Sequence, residues 1–298
     1  MTEARSLSVQ SVVYGTDPVG VLRAATEMVN SVRHARQAEL IGEWSYQLGE
    51  CTPETVFSNQ DLAELTTMVE SQSGHFSYTF FGENLGSAAG HNRLAAASTS
   101  DLILILNPDV QMGYDAMTLM CRSLRDGVGI VEARQLPIEH PKTYEKYTGE
   151  TSWASTACAL TLRAAFDTVG GFDSETFFLY CDDVDYSWRL RLTGYSVVFE
   201  PSARVYHDKR LSISGDWHPG DAEVYYSAEA ALLLAHKYSR PGRVGDLLKA
   251  YGSETEPMVH KAVAEYVRRR AAGTLPIPID TKNEVGQFIK GNYAEHRF

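Results

Sequence analysis

No two of the four cysteines, Cys51, Cys121, Cys158 and Cys181, form a Cys-x-x-Cys pair, and they are scattered along 298 residues. Such spacing offers no structural zinc site, and a chain of this length needs no disulfide framework, so reduced thiols are expected. Long apolar runs are missing too: stretches such as Leu102–Leu106 fall far short of the roughly 20 residues a membrane-crossing helix needs. The first nine residues, Met1 to Val9, are polar and hold no apolar core of signal-peptide length. Positive charge is scarce, with 27 Lys and Arg against 38 Asp and Glu and a formal net charge of −11. That balance argues against unspecific binding to nucleic acid or anionic lipid, while leaving room for one local cationic pocket. Internal repeats and low-complexity tracts are absent. The expectation is a soluble, cytoplasmic protein with peripheral membrane contact at most.

What is present is an ordinary globular composition, 44% hydrophobic and 22% charged, long enough for a sizeable core. Four segments read as strands: 9–14, 44–48, 76–81 and the fully apolar 102–106. Each ends in turn-forming residues: Tyr14-Gly15-Thr16, Gly49-Glu50, Gly82-Glu83-Asn84 and Asn107-Pro108-Asp109. Between them, 19–38 and 85–100 have helical spacing. The alternation predicts an α/β domain with a mostly parallel sheet flanked by helices, and ligands at the carboxyl ends of its strands. Beyond it, 155–162 reads as a strand, 163–169 as a short helix stopped by Gly170-Gly171, and 182–193 as a helix. Residues 196–199 read as a strand stopped by Pro201. From about Gly220 the chain turns helical, at 222–238 and 256–272 with a break at Pro241-Gly242. We expect a catalytic domain over 1–220 and a C-terminal helical extension over 221–298.

Asn107-Pro108-Asp109 brings two oxygen-bearing side chains to a strand end, the ligand type that Mg²⁺ or Mn²⁺ takes. The same three residues also suit a plain turn. Asp182-Asp183-Val184-Asp185 opens a helix, where the dipole favours acids, and Asp185 stands four before Arg189. The apolar approach, Phe177-Phe178-Leu179-Tyr180-Cys181, places these acids against a wall. A carboxylate at a helix N-terminus can serve as a general base. His207, in Val205-Tyr206-His207-Asp208, stands out less, since a lone histidine is commonly structural. The small residues of 86–92 let a ligand or another backbone approach the start of a helix.

These segments, in this order, resemble the bacterial family 2 glycosyltransferases of GT-A fold, above all the rhamnosyltransferase-like branch. The resembling residues are Ser11–Thr16, Glu83–Gly86 with Gly90-His91-Asn92, Leu106–Val110, Gly170–Asp173, Phe177–Tyr180, Asp182–Asp185 and Trp188-Arg189. They span about 9–208. The resemblance implies an inverting transfer of a sugar from a UDP- or dTDP-sugar donor to a saccharide or lipid-linked saccharide acceptor, in cell-surface polysaccharide synthesis. It implies Mn²⁺ or Mg²⁺ held by Asp109 and His207, with Asn107 at the first position of the family's Asp-x-Asp motif. Asp183 takes the place of the catalytic base, with Asp182 in the preceding acidic position. Tyr14, Gly15, Thr16, Glu50, Asn84, Gly86 and His91 fall where the family holds the nucleoside diphosphate. Glu50 replaces the family's usual Asp, and His91 stands where many members carry Arg.

Two rivals share parts of this pattern. A sugar nucleotidyltransferase wants a basic, glycine-rich loop after the first strand, and Val13–Pro18 has no basic residue. A non-catalytic sugar-nucleotide-binding relative would not need Asp109, Asp183 and His207 together. The segment around Arg268-Arg269-Arg270, with Val259, Val263 and Val267, is expected to pack on the catalytic domain or on a second copy in a homodimer. Specificity is expected in loops such as 136–153.

Overall fold

The computed structural model describes residues 4–137, 142–207, 219–289 and 292–293. Asp208, part of the 136–153 loop and 294–298 therefore lie outside the described residues.

The first half runs β1 (Arg5–Val13), α1 (Pro18–Gln37), β2 (Ile41–Glu50), α2 (Asn59–Glu70), β3 (His75–Phe80), α3 (Gly86–Ala96) and β4 (Leu102–Leu106). It continues through β5 (Val110–Met112), α4 (Ala116–Ser123), β6 (Val128–Leu136), β7 (Cys158–Leu162), α5 (Arg163–Val169), α6 (Asp182–Leu192) and β8 (Ser196–His207). Three helices follow: α7 (Asp221–Lys237), α8 (Pro241–Gly252) and α9 (Pro257–Ala272). The strands form one sheet in the order β3-β2-β1-β4-β7-β6-β8-β5. Its first half is parallel, while β7 runs antiparallel to β4 and β6, and β5 antiparallel to β8. The sheet is thus mixed, its parallel part matching the alternation read from the sequence.

Local chemistry explains where elements begin and end. The five apolar residues of β4 are all buried because the strand is central, with helices on both faces. Asp17 caps α1 by accepting from the Val19 amide, and Pro18 fills the first turn, where its missing N–H costs nothing. Ser58 and Asp61 close a capping box on α2. That helix buries only Leu65 and Val69, an apolar stripe too narrow to stand out as a period. Pro241 does not interrupt the C-terminal helices as a mere breaker; it starts α8 from its first turn.

The strand expected to stop at Pro201 continues to His207. Between Ala133 and Arg134 of β6 the register jumps from Glu200 to Arg204 on β8, so Pro201 sits in a bulge where no ladder amide is required. This continuation carries Val205–His207 between β6 and β5, with Val110 opposite His207 and Gln135 opposite Val205.

Helices α7 and α8 share one apolar cluster with α6: Leu232, Leu234, Tyr238 and Leu247 pack with Phe177, Val184 and Trp188. Helix α9 covers α7 through Val259, Ala262 and Tyr266, while Val267 is 41% exposed. The arginine-bearing helix therefore packs on the C-terminal layer. Among the described residues no helix is long and apolar enough to cross a membrane.

Candidate active site

A cleft of about 1690 Å³ opens at the carboxyl ends of β1 and β4 and extends to the C-terminal helices. Tyr14, Gly15, Thr16, Asn84, Gly86, His91, Asn107, Asp109, Asp183 and His207 all line it. Ten of the eleven residues singled out in the sequence thus meet in one place. Glu50 is the exception.

Glu50 is 1% exposed and turned away from the cleft. One carboxylate oxygen accepts from the Thr52 hydroxyl and from the Val56 amide at 2.7 Å, and the other from the Tyr78 hydroxyl. It fastens the loop after β2 and leaves no oxygen reaching the cavity. His91 is 3% exposed, beside the Gln10 side-chain amide 3.4 Å from Nδ1. Burial lowers its pKa to about 4, so the ring is neutral at pH 7 and brings no positive charge to a phosphate.

Gly86 and Gly90 open α3 with small residues for a reason the structure resolves. A Cβ on Gly86 would stand 2.3 Å from the Phe178 carbonyl oxygen, and one on Gly90 would stand 2.8 Å from Val12. Another backbone, the stretch leading to the acidic cluster, makes the close approach at Gly86. The Ser87 amide donates to the Phe178 carbonyl at 3.2 Å, and the Ser87 side chain hydrogen-bonds Asp182. The start of α3 is thereby locked to the start of α6.

Tyr180 and Cys181, just before α6, both adopt left-handed backbone, with φ of 67° and 56°. Such residues cost about 1–3 kcal/mol each and persist where the surroundings force them. Here they turn the chain so that both acids border the cleft, Asp182 almost fully buried and Asp183 half-buried. Asp182 is 5% exposed, and burial, reinforced by the charge of Asp183, raises its pKa well above the usual carboxylate range. Asp183 accepts from the Val184 amide at 2.8 Å, which fixes one carboxylate oxygen.

Asp109 and His207 form the second centre. His207 Nε2 lies 3.3 Å from Asp109 Oδ2, with the side chains 12% and 42% exposed. Gln135 sets the ring: its Nε2 donates to Ser155 Oγ at 3.1 Å, so its Oε1 faces His207 Nδ1 at 2.8 Å and takes that proton. Nε2 then presents its lone pair to a carboxylate oxygen. Two acceptors facing each other call for a proton or a cation between them. Two adjacent ligands on a small hard cation, with bonds of about 2.1 Å, stand about 3 Å apart. This donor pair fits one. Among the described residues no third His, Cys, Asp or Glu joins them, which suits an ion that keeps water and phosphate oxygens as its other ligands. Gln135 was not legible as a functional residue in the sequence, because only the bulged course of β8 brings it beside His207.

No family model matches the chain. N-acetylglucosaminyl-diphospho-decaprenol L-rhamnosyltransferase, from two strains of Mycobacterium tuberculosis, is 31% identical over 206 residues, covering 53% of this chain and 66% of the relative. The chain therefore spans just under two thirds of the length of those relatives. Among solved structures, a mannosyltransferase of Pyrobaculum calidifontis in complex with GDP-Man and Mn²⁺ aligns over 92% of this chain and 77% of its own. Its TM-score is 0.57 at 13% identity. GalNAc-T7 with UDP, GalNAc and Mn²⁺ aligns over 95% of this chain and 57% of its own, with a TM-score of 0.67 at 11% identity. At those identities the likeness establishes the architecture, which is the GT-A fold.

Proposed function

Since the chain belongs to the rhamnosyltransferase-like family 2 glycosyltransferases, we propose that it transfers a sugar from a UDP- or dTDP-sugar to a lipid-linked saccharide, inverting the anomeric centre. The setting is synthesis of a cell-surface polysaccharide in the cytoplasm, at the inner face of the membrane. Residues 1–220 form the catalytic unit and 221–298 its helical extension.

One observation carries the reading: a metal-competent pair, Asp109 and His207, and a cleft-facing acid, Asp183, line the same cavity. Asp109 and His207 would hold Mn²⁺ or Mg²⁺, which would supply positive charge to stabilise a diphosphate leaving group. Both relatives of solved structure carry Mn²⁺ and a nucleotide or nucleotide sugar. Gln135 keeps His207 in the tautomer that binds a cation. Tyr14, Gly15 and Thr16 face the nucleoside from the end of β1. Asp183 accepts the proton of the acceptor hydroxyl as that oxygen bonds to the anomeric carbon. The bond from that carbon to the diphosphate oxygen breaks with its electron pair on the diphosphate, and the proton passes from Asp183 to solvent. A single in-line displacement inverts the configuration, and no nucleophilic side chain is needed.

The test is Asp183→Asn. The amide keeps the shape and the Val184 contact but cannot accept a proton. Transfer should fall by a factor of about 10² to 10⁴, with donor affinity nearly unchanged. Asp109→Asn should weaken both donor binding and turnover, and excess chelator should stop the reaction. Retention of more than about a tenth of kcat in Asp183→Asn, or full turnover in chelator, would remove the mechanism.

A further inference from the structure

The chain as a whole repels negative surfaces, with a formal net charge of −11, yet one helix reverses the sign. Between Pro257 and Pro278, α9 and the segment after it carry four Lys and Arg against a single Glu, a local charge of +3. The solvent side of α9 is His260, Lys261, Ala264, Val267, Arg268 and Ala271, set at helical spacing and all exposed. It holds two permanent cations, three apolar side chains and no carboxylate. Glu265, the one acid of the helix, is half-buried on the flank, where Arg268 takes it up at 2.6 Å. Arg269 and Arg270 carry the positive charge round the last turn.

The chain then turns back at Gly273, whose φ is 68°, and lays an apolar point beside this face. His236 of α7 meets the Tyr266 hydroxyl at 3.4 Å and also hydrogen-bonds the backbone of Pro276, so residues 275–279 run close to the last turns of α9. Leu275 and Ile279 turn into the apolar cluster of α6, α7 and α8, and the alternation of an extended segment throws Ile277 outward. Ile277 is 83% exposed, more than any other large aliphatic side chain among the described residues, and stands between Pro276 and Pro278, which stiffen it. With Val267, it leaves two large apolar side chains in water among the arginines. Neither the core nor the cleft uses them.

Apolar side chains that enter the boundary between headgroups and acyl chains, flanked by Lys and Arg that meet anionic headgroups, hold a peripheral protein on a bilayer. A single helix face with one protruding side chain fits such a plane, whereas a stable protein partner takes about 800 Å² from each side. We propose that α9 and Ile277 form the face by which this protein rests on a membrane of anionic phospholipid. The proposal rests on the membrane setting of the transfer reaction and names the surface that meets it. Repulsion of the acidic remainder then leaves one orientation, with α9 against the headgroups.

Binding can be measured without turnover, by co-sedimentation of the full chain with vesicles. Mixed phosphatidylcholine–phosphatidylglycerol vesicles should carry the protein down, and pure phosphatidylcholine vesicles should do so far less. Salt at about 1 M, where the screening length falls to about 3 Å, should release it. Lys261→Gln combined with Arg268→Gln should weaken binding about tenfold or more, and Ile277→Ser about tenfold. Both variants should keep the parent's melting temperature and its affinity for UDP with Mn²⁺, since all three side chains are exposed and outside the cleft. The docking face is overturned if the parent ignores the mixed vesicles, binds pure phosphatidylcholine as well, or loses nothing in either variant. It is overturned too if the parent is a dimer in solution that Lys261→Gln with Arg268→Gln turns into a monomer, for the face then belongs to a second copy. Loss of vesicle binding with UDP binding intact removes the docking face and leaves the transfer reading in place; vesicle binding without UDP binding does the reverse.

Discussion

Asp182 is 5% exposed, with Oδ2 lacking a partner among the described residues, while Asp183 one position on is only half-buried; both border the cleft. The sequence shows two adjacent acids and cannot show which is wet, because that depends on the left-handed turn at Tyr180 and Cys181. The resemblance supplied the assignment; the residues alone left it open. Burial has a thermodynamic signature. A carboxyl whose pKa is raised on folding contributes stability that is fully present below its unfolded value and is lost as pH rises through the folded one. An asparagine in its place has no proton to lose. Asp182→Asn should therefore melt higher than the parent at about pH 8, and the gap should close towards about pH 4, near the ordinary carboxylate value. Paired melting curves across that range decide it. A gap that stays constant with pH means that Asp182 is not held against its charge. Glu50 teaches the converse. It sits at a strand end facing the right edge, yet three hydrogen-bond donors already occupy it, and no sequence signal distinguishes a carboxylate that ties its own loop from one that meets a ligand.

Elements were legible where the apolar period was wide and punctuation was sharp. The helix over 163–169, stopped by Gly170, and the strand over 102–106 appear with the bounds the sequence suggested. Helix α2 was overlooked despite its Ser58-x-x-Asp61 box, since two buried residues make no visible face. The end of β8 was misplaced because Pro201 reads as a stop, and only the neighbouring strand reveals the bulge that tolerates it. At the start of α3 a paired substitution separates backbone strain from close approach. Gly86 and Gly170 have similar φ, 69° and 74°, but a Cβ meets the Phe178 carbonyl at 2.3 Å in the first and nothing within 4 Å in the second. Gly170→Ala should cost about 1 kcal/mol, the left-handed penalty alone. Gly86→Ala should cost about 2 to 4 kcal/mol, because the acid-bearing loop must also move. Urea unfolding of both proteins checks this; equal costs would mean that α3 and the loop before α6 are not locked together.

At the scale of the molecule, the question is what joins the C-terminal layer to the helix that carries the acids. Apolar packing accounts for much of it, with Trp188 of α6 edge-on to Tyr238 at 4.7 Å between ring centroids. The remainder is a buried ionic knot. Asp185, fully buried, accepts from Arg189 on its own helix at 2.7 Å, from Lys237 of α7 at 2.5 Å and from the Tyr238 hydroxyl at 3.1 Å. Lys237 also reaches Asp173 at 2.6 Å, so one ammonium bridges the loop after α5, helix α6 and helix α7. The sequence announced only the Asp185–Arg189 pair, which has local spacing; the link to Lys237, 52 positions further on, had no local signal. Such a knot is not a large net source of stability, because desolvation of its charges offsets their attraction. Removing one member is another matter, since the carboxylates it leaves behind stay buried. Lys237→Met, which keeps most of the side-chain length, should cost about 3 kcal/mol or more in urea unfolding. The double variant Lys237→Met with Asp173→Asn should recover part of that loss by removing one of the stranded charges. A cost below about 1 kcal/mol, the range of exposed pairs, would show that the layer is held by apolar contacts alone and that the acids of α6 do not depend on Lys237 for their position.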